Sequence, residues 1–165
     1  MATQSQVLSW LKNSFDKEGF SYEVFEENNV IKTILPVDGV IKQTTMYFFY
    51  YDDLYILNAD ISLTVEENYR KEVSEYLTRA NHEIMVGNFQ MDFEIGIVTY
   101  RLSFDCEDRH SLSDSLIQGS IFKAKVMLEQ YGEGLIKVMS GIKSPKEALK
   151  EAEEEWDKRY SNYQN

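Results

Sequence analysis

The sequence is poor in cysteine, proline and glycine, with one, two and eight of them among 165 residues. A lone thiol, Cys106, cannot form a disulfide within the chain, so a secreted disulfide framework is excluded and the reducing cytosol is the expected compartment. No basic N-terminal segment precedes an apolar core, and no apolar run approaches the roughly 20 residues that span a bilayer. We therefore predict a cytoplasmic protein with neither a secretory signal nor a membrane anchor.

Positive charge is also scarce. Lys and Arg number 17 against 28 Asp and Glu, which gives a net charge of −11. Such a field repels phosphate backbones and anionic lipid surfaces, so we expect neither nucleic acid nor membrane among the partners. Solubility is the simpler explanation of the acidity, and attraction of a basic partner is the alternative.

Motifs for catalysis and for metal binding are missing. The two histidines, His82 and His110, belong to no recognisable metal-ligand motif. Gly132-x-Gly134 lacks the third glycine and the preceding strand of a dinucleotide-binding loop. There is no phosphate-binding loop and no nucleophile elbow. We therefore predict no cofactor, no metal and no enzymatic activity.

One enzymatic alternative stays open around the single cysteine. Cys106, His110 and Asp105 lie close together in the sequence and include the residue types of a thiol nucleophile and its base. A loop between a strand and a helix explains the same residues. They are the first suspects if the protein is an enzyme of unrecognised type.

Aromatic residues are abundant, with 11 Tyr and 9 Phe, and 43% of all residues are hydrophobic. A chain of this length and composition buries a real core, and it shows no linker, internal repeat or low-complexity tract. We predict a single domain over residues 1–165.

Hydrophobic periodicity predicts helices and strands in the order α-β-β-β-β-α-β-β-α-α. The predicted strands cover 20–24, 30–35, 41–51, 54–62, 88–94 and 98–105. The first helix covers 4–17 and ends at Gly19. A Thr64-x-x-Glu67 capping box starts the second, Ser111 or Ser113 caps the third, and Gly132 and Gly134 interrupt the third after Tyr131. Ser144 caps the last helix. This pattern predicts an α+β fold, in which helices pack mainly on one face of an antiparallel, twisted sheet of about five or six strands.

The strand over 41–51 is apolar on both sides. Its side chains alternate between two apolar sets, of which the outer is Tyr47, Phe49 and Tyr51. Such a strand is either covered on both faces or uses one face as a partner surface. In the third helix, Phe122 and Val126 stand apart from the main apolar arc, which fits burial within the monomer and a subunit contact equally well. We expect a homodimer that uses either Phe122 and Val126 or the outer face of this strand.

The stretch from Leu77 to Arg101 carries a family resemblance. Leu77 and Asn81 lie late in a predicted helix and are followed by Gly-Asn-Phe-x-Met-Asp at 87–92, by Gly96, and by Val-x-Tyr-Arg at 98–101. Tyr131, Val138, Gly141 and the Ser-Pro-x-x-Ala of 144–148 follow in order. In these features the chain resembles the YbjN family of bacterial proteins, whose domain is similar in fold to type III secretion chaperones. One departure, Ile95 between Glu94 and Gly96, predicts a longer or bulged turn.

The resemblance implies a small cytoplasmic α+β domain that is often dimeric and has been described as a candidate regulator of sensory transduction. Together with the absent catalytic motifs, it favours a non-enzymatic, chaperone-like module that binds a protein partner. The alternative is a carrier of a small or lipid-like ligand, with the Tyr- and Phe-rich strands as the wall of a pocket.

Overall fold

A computed structural model describes residues 3–52, 54–105 and 112–161 of the chain, and it has the predicted α+β fold with its elements in the predicted order. The helices within these residues are α1 (Gln4–Glu18), α2 (Arg70–Glu83), α3 (Asp114–Met139) and α4 (Pro145–Ser161). The strands are β1 (Tyr22–Phe25), β2 (Val30–Pro36), β3 (Gln43–Tyr51), β4 (Leu54–Thr64), β5 (Asn88–Met91) and β6 (Ile97–Asp105).

The six strands form one sheet in the order β1-β2-β3-β4-β6-β5, and every neighbouring pair is antiparallel. Hairpins connect β1 to β4 in sequence. The chain then crosses through α2 to the edge strand β5 and returns through a hairpin to β6, which fills the place between β4 and β5. The predicted antiparallel sheet of five or six strands is confirmed.

The helices cover one face of this sheet, as predicted. Every second residue of β3 and β4 points toward them and is buried, whereas the residues between are partly exposed. Helix α1 packs on β3, where the rings of Phe15 and Phe48 meet edge to face at 4.8 Å. Helix α4 packs on α2 and α3. The core therefore lies between the sheet and the helical layer.

Three predicted helix ends agree with the structure. Gly19 ends α1 in the left-handed conformation, with φ 71°. Of the two predicted caps of α3, Ser111 lies outside the described residues, and the Ser113 hydroxyl accepts from the Leu116 N–H and caps the helix. At the start of α4, the Glu147 N–H donates to the Ser144 hydroxyl and the Glu147 carboxylate accepts from the Ser144 N–H, at 3.4 and 3.2 Å.

The predicted capping box of the second helix is wrong. Thr64 is the last residue of β4 and pairs with Ile97. The next residue stays extended as well, because the Val65 N–H donates to the Gly96 carbonyl at 2.9 Å. A short 3-10 turn over Glu67–Tyr69 follows, and α2 begins only at Arg70.

The predicted interruption of the third helix is also wrong, because α3 runs unbroken through Gly132 and Gly134. A Cβ on Gly132 would lie 2.6 Å from a side-chain carbon of Ile41. On Gly134 it would lie 2.3 Å from the Tyr76 hydroxyl and 3.0 Å from the Ala148 carbonyl. These glycines serve close packing between elements and do not end the helix.

The hairpin between β5 and β6 has a longer turn than a two-residue hairpin, in agreement with the departure noted in the sequence. Strand β5 ends at Met91, not at 94, and the Asp92 carboxylate accepts from the Glu94 N–H at 2.8 Å. Gly96 closes the turn with φ 76°. Phe93, which the strand prediction placed on the buried side, is therefore 50% exposed.

Candidate binding surface on the open face of the sheet

Within the described residues, the helices leave one face of the sheet uncovered, which we call the open face. Its residues are those that alternate with the buried positions of each strand. Several are large and apolar, and they are half-buried or exposed: Phe25, Ile34, Tyr47, Phe49, Tyr51, Leu54 and Ile56. An antiparallel sheet with one solvated face normally carries polar side chains there. The apolar content of this face therefore calls for a functional explanation.

The strand register places four of the apolar side chains in one line across the sheet. Phe25 is paired with Val30, Val30 with Phe49, and Phe49 with Ile56. We call Phe25, Val30, Phe49 and Ile56 the apolar row. Directly opposed side chains on one face contact each other. Val30 is only 7% exposed despite its place on the open face, whereas Phe25 at the end of the row is 41% exposed.

A polar line runs beside the apolar row. Its paired positions are Glu23, Lys32, Tyr47, Asn58 and Arg101. The Lys32 ammonium lies 3.7 Å from the Glu23 carboxylate, and the Arg101 Nε–H donates to the Asn58 side-chain oxygen at 2.8 Å. The charged groups along this line are therefore partnered within the sheet.

Asp60 adds a carboxylate next to this line. The Thr99 hydroxyl donates to it at 2.6 Å. Burial raises the pKa of Asp60, and the Thr99 hydrogen bond and the Arg101 charge oppose that shift. Asp60 is therefore a carboxylate held in place by a threonine hydroxyl and a nearby guanidinium, and it can serve a bound molecule as a fixed hydrogen-bond acceptor. Among the described residues that line the groove introduced next, the other carboxylate is that of Asp92, which holds the hairpin turn, and there is neither a thiol nor a histidine.

A groove of about 460 Å³ lies between the open face and the tip of the β5–β6 hairpin. Tyr47, Phe49 and Ile95 give it apolar walls, and Asp60 and Arg101 give it polar ones. The hairpin tip is held from the other side, because the Arg70 guanidinium donates to the carbonyls of Phe93 and Glu94 at 2.5 and 3.2 Å. This wall of the groove is therefore fixed to the start of α2.

The structure separates the two sets of contact residues predicted from the sequence. Tyr47, Phe49 and Tyr51 lie together on the open face. Phe122 lies on the helical side and is 69% exposed, so burial within the monomer is excluded for it, and Val126 is half-buried on the same helix. Which set makes a subunit contact stays a prediction.

Sequence reasoning did not find the other members of the apolar row, Phe25, Val30 and Ile56. Ile56 stands between the inward-facing Tyr55 and Leu57, which is the signal that identifies it. Phe25 and Val30 lie at strand ends, where alternation is not visible on both sides. Their alignment depends on strand register, which is not visible in the separate strand patterns.

Of the catalytic suspects, the structure describes only Asp105, the last residue of β6. Cys106 and His110 lie outside the described residues. Within the described ranges, no group of three or more His, Cys, Asp or Glu side chains is placed to hold a metal ion. No helix in the same ranges is both long and apolar enough to cross a membrane.

Comparison with known proteins gives a relationship of fold. No protein-family model matches the chain, and no curated protein sequence matches it. A similar solved structure is that of YbjN from E. coli, described as a candidate transcription regulator. The two have a TM-score of 0.54 and 10% sequence identity over 81% of this chain and 89% of that one. At this identity the likeness establishes a shared fold, and a shared fold does not determine function.

Proposed function

We propose that this protein is a non-enzymatic, chaperone-like binding or regulatory module that acts through protein–protein contact at the open face. The observation that carries this proposal is the apolar row, in which Phe25, Phe49 and Ile56 remain accessible on the uncovered side of the sheet. Apolar and aromatic residues at the centre of a patch with a polar border are typical of protein interfaces. The polar line and Asp60 provide that border.

A second copy of the chain is the partner that the charges of the open face favour. Two copies with a net charge of −11 each repel one another over most of their surfaces. On the open face, however, Lys32 lies beside Glu23, and Arg101 faces Asp60. This nearly neutral face is therefore where two copies meet with the smallest electrostatic cost, and we expect a homodimer.

The regulatory part of the proposal has separate support. A protein of the same fold is described as a candidate transcription regulator. The resemblance of residues 77–101 to the YbjN family supports a role in bacterial sensory transduction. A dimer that exchanges its second copy for a regulated protein at the same face would connect the two roles.

Sedimentation equilibrium at micromolar concentration tests the dimer and its location. We expect the unmodified protein to be a dimer, Phe49→Lys to be a monomer, and Phe122→Lys to remain a dimer. Near-ultraviolet circular dichroism checks that each variant keeps its tertiary packing. An unmodified protein that is monomeric throughout contradicts the homodimer. Loss of the dimer in Phe122→Lys, but not in Phe49→Lys, places the contact on α3 instead.

A small-ligand carrier is the second candidate, and the aromatic-walled groove of about 460 Å³ favours it. Ligand sites typically occupy about 300–1,000 Å³ and combine apolar walls with a few polar groups. A native mass spectrum with a co-purified small molecule, lost in Tyr47→Ala, supports this reading. A spectrum of the bare polypeptide argues against it.

A further inference from the structure

The helical side of the molecule carries a second concavity, which the open face does not involve. It has a volume of about 540 Å³ and lies between the end of α2, the middle of α3 and the second half of α4. We call it the helical cleft. Its apolar lining includes Ile84, Met85, Val86 and Met127. Met85 is 96% exposed, so an apolar group that enters the cleft meets an uncovered thioether side chain at its border.

Carboxylates dominate the charge of the helical cleft. Glu83, Glu153 and Asp157 line it, and Lys123 is the one cation among the described residues of the lining. Burial, followed by the charges of Glu83 and Asp157, raises the pKa of Glu153. Glu83 and Asp157 therefore lie close enough to disfavour the charged form of Glu153, and a positive group beside Glu153 relieves that repulsion.

A buried tyrosine, whose hydroxyl has no hydrogen-bond partner among the described residues, lines the same cleft. Tyr131 lines the cleft and is only 4% exposed. Its backbone carbonyl accepts from the Tyr76 hydroxyl at 2.8 Å, but its own hydroxyl forms no hydrogen bond with the described residues. Burial and the charges of Glu153 and Glu83 raise the pKa of Tyr131 to about 12, which places its hydroxyl near those carboxylates. Buried polar groups without a hydrogen bond are rare and indicate a missing partner.

We propose that the helical cleft binds a lysine or arginine side chain of a partner polypeptide, with a neighbouring apolar side chain seated on Met85 and Val86. An ammonium or guanidinium group donates several hydrogen bonds and accepts none. It can therefore donate to the Tyr131 hydroxyl and to the Glu153 carboxylate at once. A single positive group so placed satisfies the unpartnered hydroxyl and neutralises one of the crowded acids.

The chemistry of the cleft distinguishes this ligand from others. An anion would meet three carboxylates and one lysine, so it is disfavoured. A metal ion is disfavoured because no metal-binding group of His, Cys, Asp or Glu exists within the described ranges. The apolar lining adds affinity for the alkyl stem of a basic side chain, which packs along apolar surface while its charged end stays with polar groups.

Calorimetric titration with short peptides tests the proposal. The probes are acetyl-Leu-Leu-Lys-Leu-amide and the same peptide with norleucine in place of lysine, which keeps the chain length and removes the charge. We expect the norleucine peptide to bind the unmodified protein about tenfold more weakly than the lysine peptide does, because one charge-assisted contact is lost. For the same reason, the lysine peptide should bind Glu153→Gln about tenfold more weakly than it binds the unmodified protein. Tyr131→Phe, which removes only the hydroxyl, should weaken binding severalfold. Glu154→Gln is the matched control, because Glu154 is exposed on the same helix and pairs with Lys150.

Several results would overturn the proposal. Equal affinity for the two peptides would show that the cleft does not recognise the basic side chain. If Glu154→Gln weakens binding as much as Glu153→Gln does, the attraction is general and electrostatic. Absence of binding at millimolar peptide rejects the cleft as a peptide site. Binding of 1,5-diaminopentane as tightly as the lysine peptide assigns the cleft to a small amine. The inference rests on the proposed protein-binding function but not on the open face. If the peptides do not bind while the dimer forms at the open face, this inference alone is rejected.

Discussion

The side chain of Asn81 forms a two-way hydrogen-bonded pair with the backbone of Phe89. Its amide donates to the Phe89 carbonyl at 2.9 Å, and its oxygen accepts from the Phe89 N–H at 2.7 Å. A neighbouring strand would supply the same two bonds. Asn81 therefore closes the outer edge of β5 at this residue and ties the last turn of α2 to the sheet.

Removal of the Asn81 amide should loosen this edge. We expect Asn81→Ala to lower the free energy of unfolding by about 1–3 kcal/mol, because two backbone groups of β5 lose their partners. Urea denaturation measures the change. Asn13→Ala, at an exposed position of α1, corrects for the higher helix propensity of alanine. Equal effects of the two substitutions would show that the pairing does not stabilise the fold.

Two buried tyrosines should respond in opposite ways to loss of their hydroxyls. The Tyr76 hydroxyl donates to the Tyr131 carbonyl, so we expect Tyr76→Phe to cost about 1 kcal/mol. The Tyr131 hydroxyl has no partner among the described residues, so Tyr131→Phe should leave the unfolding free energy unchanged or raise it slightly. Denaturant unfolding of the two variants side by side gives the comparison. A destabilised Tyr131→Phe would mean that its hydroxyl already has a stabilising contact in the free protein.

The glycines of α3 should differ in their tolerance of alanine. A Cβ at Gly134 meets the Tyr76 ring and the Ala148 carbonyl, so we expect Gly134→Ala to destabilise the protein by about 1–3 kcal/mol. A Cβ at Gly119 has nothing within 4 Å. Gly119→Ala should therefore stabilise the protein by about 0.5–1 kcal/mol through helix propensity. Thermal unfolding measures both, and a stabilising Gly134→Ala would contradict the close packing of α3 against Tyr76.

The raised pKa of Glu153 predicts a pH-dependent effect of its neutralisation. A carboxyl whose pKa is higher in the folded state than in the unfolded state favours folding when protonated, and that contribution is lost as pH rises through the folded pKa. Glu153→Gln should therefore be more stable than the unmodified protein at neutral pH. The difference should shrink toward about pH 4, where the ordinary glutamate pKa lies and the wild-type carboxyl becomes neutral as well. Melting curves of Glu153→Gln and the unmodified protein at neutral pH and at about pH 4 measure this difference in stability. A difference that is the same at both pH values would indicate packing, and not charge, as its cause.

The sequence predicted the elements whose signals are local. Alternation identified the strands, and Ser113, Ser144 and Gly19 marked helix ends because capping depends on residues within one turn. The prediction was wrong where contacts between residues far apart in the sequence determine the local structure. Thr64 resembles a helix cap but continues β4, because Ile97 on another strand supplies its pairing.

The glycines of α3 illustrate the same limit. A Gly-x-Gly pair ordinarily weakens a helix. Here Gly134 lies under Tyr76, 58 positions earlier in the chain, and that contact cannot be read from local sequence. The open face was foreseen only in part for a related reason. The alternation of Tyr47, Phe49 and Tyr51 was visible, but the alignment of Phe49 with Phe25, Val30 and Ile56 required the register of four strands.

Photo-crosslinking in the producing cell tests the role of the open face most directly. A benzophenone amino acid in place of Tyr47 reports contacts of the open face, and the same replacement of Phe122 reports contacts on the helical side. Proteins carrying the probe at 47 should form adducts with a second copy of the chain on irradiation, identified by mass spectrometry, and those carrying it at 122 should form no adduct with a second copy. Adducts with a second copy at 122 and none at 47 would contradict the assignment of the dimer contact to the open face.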